Sequence, residues 1–215
     1  MSFSKISWAI LAVVSVASLY AYTVAPADML LPMHWDVYGE ADGEMNAKMV
    51  LLLFPAVMGG ILLLLGLLKY IDPRQENLKK SDAARQWTIL ALTLFLSSLA
   101  LNNVAMVLGY EFLSYRGILF ASMLMVVVIG NYLPKTRSNF FIGIKTPWTL
   151  SSEDNWKKTH RLGGQMFMIF GSLGIVATIL LPDQILLGAL LGLVIAPIII
   201  VPVAYSWYLW RSEIN

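Results

Sequence analysis

Six uncharged apolar stretches dominate this sequence: Ile6–Ala25, Met49–Leu68, Trp87–Gly109, Gly117–Leu133, Leu162–Leu181 and Ile185–Trp210. None contains Asp, Glu, Lys or Arg. A helix needs about 20 apolar residues to cross a bilayer core. In hydrocarbon each backbone N–H and C=O must bond within the protein, so apolar segments of this length are read as helices. The sequence therefore predicts an all-α polytopic membrane protein with six transmembrane helices. Charged residues make up only 13%, about half the usual share of a soluble domain. Such a chain cannot clothe a water-facing surface. A net charge of +2 leaves no basic excess for phosphates, so no nucleic-acid partner is expected. The absence of Cys excludes disulfides, thiol catalysis and Cys-ligated zinc.

Lys and Arg placement gives the orientation. The N-terminal tail, the 69–86 and 134–161 loops and the C-terminal tail hold 13 of the 15 basic residues; the 26–48, 110–116 and 182–184 loops hold 2. Both termini are thus expected on the cytoplasmic side. Trp8, Trp87, Tyr132, Trp207 and Trp210 would form the inner aromatic belt, and Tyr20, Tyr22, Tyr110 and Tyr115 the outer one. The first stretch is too long for a signal-peptide core, so it reads as a retained span. Residues 1–70 form a helix pair with an acidic outer loop. Residues 71–215 form a four-helix region with a basic inner loop, and the two make one integrated membrane domain. Pro197 and Pro202 predict a break in the sixth span. Gly188-x-x-x-Gly192, Gly171 with Gly174, and Gly59-Gly60 predict close packing within the molecule, the first two sets between hairpin partners. Asn102 and Asn103 are expected to hydrogen-bond a neighbouring helix.

The outer loop carries Asp28, Asp36, Glu40, Asp42 and Glu44 against Lys48 alone. These acids face the side from which a cationic peptide would arrive. His34 and Asp36 resemble metal ligands, but Glu40-x-Asp42-Gly43 lacks the later bidentate Glu of a calcium loop, so no metal is expected. Gly39 and Asp42-Gly43 suit a turn with positive φ. Trp35 and Tyr38 need an interface, another loop or a ligand to cover them.

The inner loop, residues 134–161, has the densest pattern. Ser151-x-x-Asp154 approximates a capping box, predicting a helix start near Ser152. On that helix Trp156 and His160 share one face, and Lys157 and Arg161 form a basic stripe. An interfacial helix with Trp156 among lipid headgroups competes with a docking surface for a cytoplasmic partner. Gly163-Gly164 would permit a bend before the fifth span. No catalytic constellation appears. His34 and His160 fall on opposite sides of the membrane, and no nucleophile elbow, phosphate loop or zinc motif is present. Neither enzymatic activity nor a cofactor is expected.

Asn139-x-x-Ile142-Gly143-Ile144-Lys145-Thr146-Pro147-Trp148-Thr149-Leu150-Ser151-Ser152-Glu153-x-x-Trp156-x-x-Thr159-His160-Arg161-Leu162-Gly163-Gly164 strongly resembles the signature of the SdpI family of bacterial membrane immunity proteins. Lys145 stands where that family more often has Arg. Leu31-Pro32-x-His34-Trp35, with Gly39-Glu40-x-Asp42-Gly43, resembles a domain of unknown function that often precedes it. The resemblance implies a multi-pass protein of the bacterial cell membrane that protects its host from a secreted peptide toxin. It further implies signalling, with toxin sensed outside and a cytoplasmic transcriptional repressor held at the membrane. On that basis His34, Trp35, Asp36, Tyr38, Glu40, Asp42 and Glu44 are candidates for toxin binding. Asn139, Gly143, Lys145, Thr146, Pro147, Trp148, Thr149, Ser151, Trp156, Thr159, His160, Arg161 and Gly164 are candidates for the inner functional or partner-binding motif. Membrane lipid is the remaining partner. A small transporter or exporter, or a lipid-interacting accessory protein, are the alternatives; the absence of ionisable groups inside any span weighs against an ion-coupled transporter.

Overall fold

A computed structural model describes residues 3–110 and 113–214. Among the described residues, six helices are long and apolar enough to cross a membrane. They are α1 (Phe3–Val24), α2 (Ala47–Ile71), α4 (Asp82–Val107), α5 (Tyr115–Tyr132), α7 (Glu153–Leu180) and a composite sixth span. That last span comprises α8 (Asp183–Ala189), a π-helical turn (Leu190–Ile195) and α9 (Ala196–Ile214). Two short helices, α3 (Gln75–Lys80) and α6 (Pro147–Ser151), lie in the basic loops. An even number of spans returns the chain to the side on which it began.

The expected break in the sixth span falls at Leu190–Ile195, just ahead of Pro197. A proline ring clashes with the carbonyl four residues earlier. For Pro197 that is Leu193, inside the wide turn, and a π-bulge relieves such crowding. Pro202 is absorbed within α9.

Close packing is concentrated elsewhere than the glycine spacing implies. Gly164, Gly171 and Gly174 of α7 face α5. A Cβ on Gly164 would lie 2.8 Å from the Gly130 carbonyl, one on Gly171 2.9 Å from Val127 Cγ2, and one on Gly174 2.6 Å from Met123 Sδ. Gly174 also approaches Leu190 of the sixth span. Gly60, Gly188 and Gly192 have nothing within 4 Å of such a Cβ, and Gly59 meets only Leu11 at 3.6 Å. Neither glycine of the Gly188-x-x-x-Gly192 motif is therefore closely approached by another helix among the described residues. Nor does Gly163-Gly164 bend the chain, because α7 runs unbroken from Glu153. These glycines admit Ile144 and Pro134 instead. Helix α1 packs on α2 and α4, α4 on α5, and α7 on α9.

The outer loop adds an element to the all-helical pattern. Strands β1 (Leu30–Trp35) and β2 (Ala41–Asn46) form an antiparallel hairpin. Asp36 closes its turn, accepting the N–H groups of Tyr38 at 2.8 Å and Glu40 at 2.9 Å. Gly39 supplies the positive φ, +85°. Gly43, expected in a second such turn, lies in β2 opposite His34 and has no positive φ. There the missing side chain matters, since a Cβ would sit 3.0 Å from His34 Cβ. Leu31 anchors the hairpin. It is fully buried among Ala21, Ala25, Ala47, Val50, Leu51 and Val104 at the outer ends of three spans.

Asn102 and Asn103 are buried in α4, yet neither bonds another helix. Asn102 Oδ1 accepts the N–H of Leu113 in the following loop at 2.7 Å. Asn103 Nδ2 donates to Leu99 O one turn back at 3.0 Å. The α4–α5 connection is short, so its backbone is the donor that Asn102 meets first.

Candidate functional site

The inner motif folds around Asn139. Its side chain is fully buried. Oδ1 accepts the N–H groups of Phe141 and Ile142, while Nδ2 donates to the carbonyls of Arg137 and Ile142. One amide side chain thus satisfies four backbone groups and fixes the 139–142 turn. An Asn can both donate and accept, which no aliphatic side chain of that size can.

The next residues are held by α7. Ser152 caps that helix by accepting the Asn155 N–H, one residue after the capping position read from the sequence. Ser151 instead donates to Trp148 O within α6. Trp156 and His160 stack with ring centroids 3.9 Å apart and planes 16° apart. Both are fully buried, so Trp156 does not sit among headgroups. Its Nε1–H reaches Thr136 O at 3.2 Å. His160 Nδ1–H donates to Trp156 O at 2.8 Å, and Nε2 accepts the Ile144 N–H at 2.9 Å. That pairing requires the neutral Nδ1–H tautomer. Gly143 passes over this stack with φ +129°. A Cβ there would lie 2.3 Å from His160 Nε2.

Polar pairs then tie the loop to α9. Thr146 and Thr149 form the capping box of α6. Thr146 Oγ1 contacts Ser206 Oγ at 3.1 Å. Thr159 donates to Asn155 Oδ1, and Asn155 Nδ2 donates to Ser206 O at 2.8 Å. Thr149, Asn155, Thr159 and Ser206 are all fully buried.

The sequence-predicted residues therefore sort by burial. Asn139, Gly143, Thr146, Thr149, Trp156, Thr159, His160 and Gly164 build the loop from inside. Lys145, Pro147, Ser151 and Arg161 are exposed, and Trp148 is half-buried near Trp210, ring to ring 6.2 Å. Lys145 Nζ donates to Phe141 O at 3.1 Å. Phe140 is exposed beneath the Arg74 guanidinium, 5.0 Å away.

Two residues outside the motif belong to the same site. Asp72 is fully buried at the C-cap of α2. Its carboxylate accepts the Arg74 N–H at 2.7 Å and the Phe140 N–H at 3.1 Å. Arg74 donates to Ser138 Oγ and, at 2.8 Å, to Leu150 O. The guanidinium fork suits two divergent acceptors at once. In sequence these residues carry little beyond a Pro73 that ends a helix and one more positive charge.

On the outer side, the hairpin presents most of its candidates to water. His34 Nδ1 contacts Asp42 Oδ1 at 2.5 Å, both largely exposed. Tyr38, Glu40 and Glu44 are exposed, whereas Asp36 is half-buried in the turn. Trp35 is half-buried, its ring 6.3 Å from Tyr115.

The chain is similar to known proteins. Residues 135–206 match the model of the SdpI/YfhL protein family, which is not a family of enzymes. The chain is 23% identical to Immunity protein SdpI of Bacillus subtilis (strain 168) over 195 residues, 89% of this chain and 88% of that protein. No solved structure matches the chain. Six spans and this similarity make it a multi-pass protein of the bacterial cell membrane. The buried Asn139–Gly143–Trp156–His160 arrangement lies within the segment, residues 135–206, that matches the SdpI/YfhL family model.

Proposed function

We propose that this protein protects its host cell from a secreted, membrane-active peptide toxin. The observation that carries this reading is the similarity to an immunity protein along nearly the full length of both chains. The outer hairpin suits the first encounter. Glu40, Asp42 and Glu44 project from it beside the exposed Tyr38, a surface that steers a cationic peptide and offers an aromatic contact.

The same reading extends to sensing. Strand β2 runs directly into α2, where Asn46 caps the helix by accepting the Lys48 N–H. At the other end of α2, Asp72 holds the Phe140 N–H of the inner loop. A peptide that shifts the hairpin would thus act on the inner loop through one helix. Lys145, Trp148 and Arg161 are the side chains there that a cytoplasmic transcriptional repressor would meet. Survival of cells expressing the protein, against cells with an empty vector, under a panel of membrane-active peptides tests the protective role. Equal killing by every peptide would remove it.

A further inference from the structure

Beneath the hairpin lies a cavity of about 100 Å³. Met33 and Trp35 of β1 roof it, Phe54 of α2 and Ile118 of α5 form walls, and Asn102 and Asn103 of α4 line it. The register irregularities of the hairpin fall at Pro32, His34 and Trp35, over this roof. Bulges re-aim side chains.

The asparagines are 5% and 6% exposed, and among the described residues neither bonds a neighbouring helix. Asn102 Oδ1 is used by Leu113, but Asn102 Nδ2 meets only Met106 Sδ at 3.8 Å, a weak acceptor. Asn103 Nδ2 is used by Leu99 O. Asn103 Oδ1 accepts no hydrogen bond among the described residues. The site therefore offers one underused donor and one free acceptor on adjacent residues, inside an otherwise apolar pocket. A peptide group presents the complement, one C=O and one N–H. No charged residue lines the cavity, so an ionised group entering it would lose its hydration without a partner.

We propose that this cavity is a subsite for an uncharged peptide segment arriving from the outer side. One apolar side chain fills the cavity, and the adjoining amide accepts from Asn102 Nδ2 and donates to Asn103 Oδ1. The proposal rests on the reading of the chain as a defence against a peptide, and it adds the chemistry of the residue that anchors there. Hairpin acids and buried asparagines then divide the work, the first acting at encounter and the second in the bound state.

The test uses the full chain in detergent micelles with two small probes, N-acetyl-leucinamide and the N-acetyl-leucine anion. The side-chain amide signals of Asn102 and Asn103 are followed by ¹⁵N NMR. The neutral probe is expected to give saturable shifts. The anion is expected to bind about tenfold more weakly, since its charge has no partner in the cavity. Asn103→Leu removes the free acceptor at similar size and should weaken the neutral probe about tenfold. Ile118→Phe fills the cavity while keeping both asparagines in the chain and should abolish the shifts, which keeps the test decisive if the first variant misfolds. An absent shift in the parent, or equal affinity for both probes, or full binding by both variants, overturns the site and leaves a cavity holding water only. Cell survival reads the underlying proposal separately. Protection by the parent that Asn103→Leu leaves undiminished removes this subsite alone, while failure of the parent to protect removes the immunity reading.

Discussion

The backbone N–H of Ile144 donates to Nε2 of His160 at 2.9 Å, across 16 residues of sequence. The imidazole holds the loop on one side and its own helix, through Trp156 O, on the other. Replacing His160 by Phe keeps a ring against Trp156 but leaves the Ile144 N–H without its acceptor. A loss of about 1–3 kcal/mol is expected. Thermal unfolding in detergent, together with faster proteolysis of the 139–150 segment, checks it; unchanged protection of that segment would contradict the bridging role.

Gly143 is predicted to be the least replaceable residue of the motif. Its φ of +129° opposes a side chain, and so does the 2.3 Å that would separate a methyl there from His160 Nε2. Gly143→Ala should destabilise by about 2 kcal/mol or more. Gly66→Ala is the control, because it has nothing within 4 Å and Ala favours a helix by up to about 1 kcal/mol. Equal unfolding temperatures for the two variants would show that the loop relaxes freely.

Trp156 and Arg161 should separate packing from recognition. Trp156 is fully buried and Arg161 exposed. Trp156→Ala is expected to cost about 3–5 kcal/mol, as large core truncations do, and to lower the amount of inserted protein. Arg161→Ala should leave stability within about 0.5 kcal/mol and impair protection or signalling only. Membrane levels and cell survival measured on the same cultures decide it. Full activity in Arg161→Ala would assign the exposed rim no role.

Charge on the hairpin is expected to govern encounter rather than the bound state. Glu40 and Glu44 are exposed, as is Asp28 at the foot of the hairpin. Asp36 is spared because its carboxylate closes the turn. Neutralising Asp28, Glu40 and Glu44 together should slow capture of a cationic peptide, most at low ionic strength, because screening acts over about 10 Å at 0.1 M salt. Association rates across a salt series test this, and coincident rates at every concentration would make the acids a solvated face.

Topology is checked by single Cys substitutions, since the chain has none of its own. Tyr38 and Ser151 are exposed on opposite loops and lie outside the helix-capping and turn-closing positions. An impermeant thiol reagent should label Tyr38→Cys on intact cells and Ser151→Cys only after permeabilisation. Labelling of both on intact cells would reverse or break the inside–outside assignment.

Six spans and the start of α7 were legible in the residues alone, because length, apolarity and capping are properties of single segments. The limits moved, however. Helix α7 begins at Glu153 and α4 at Asp82, well before their uncharged portions, because a helix continues into water once its polar turns find partners. Which surfaces met was decided only in three dimensions. Gly171 reads as a hairpin spacer yet packs on α5, while Gly174 meets both α5 and the sixth span. Asn102 turned to a loop backbone, and the β hairpin emerged from a segment that read as a turn. The inner motif showed its residue types but not its inside and outside. The basic amphipathic pattern leaves Trp156 between a membrane-surface and a docking role, while the structure closes residues 136–146 over it. Asp72 and Arg74 entered the site from 68 and 76 residues away, as measured to Phe140 and Leu150. Such pairings depend on how the helices dock, and no local pattern encodes them: a buried carboxylate or guanidinium is defined by the backbone groups that surround it, and those come from elsewhere in the chain.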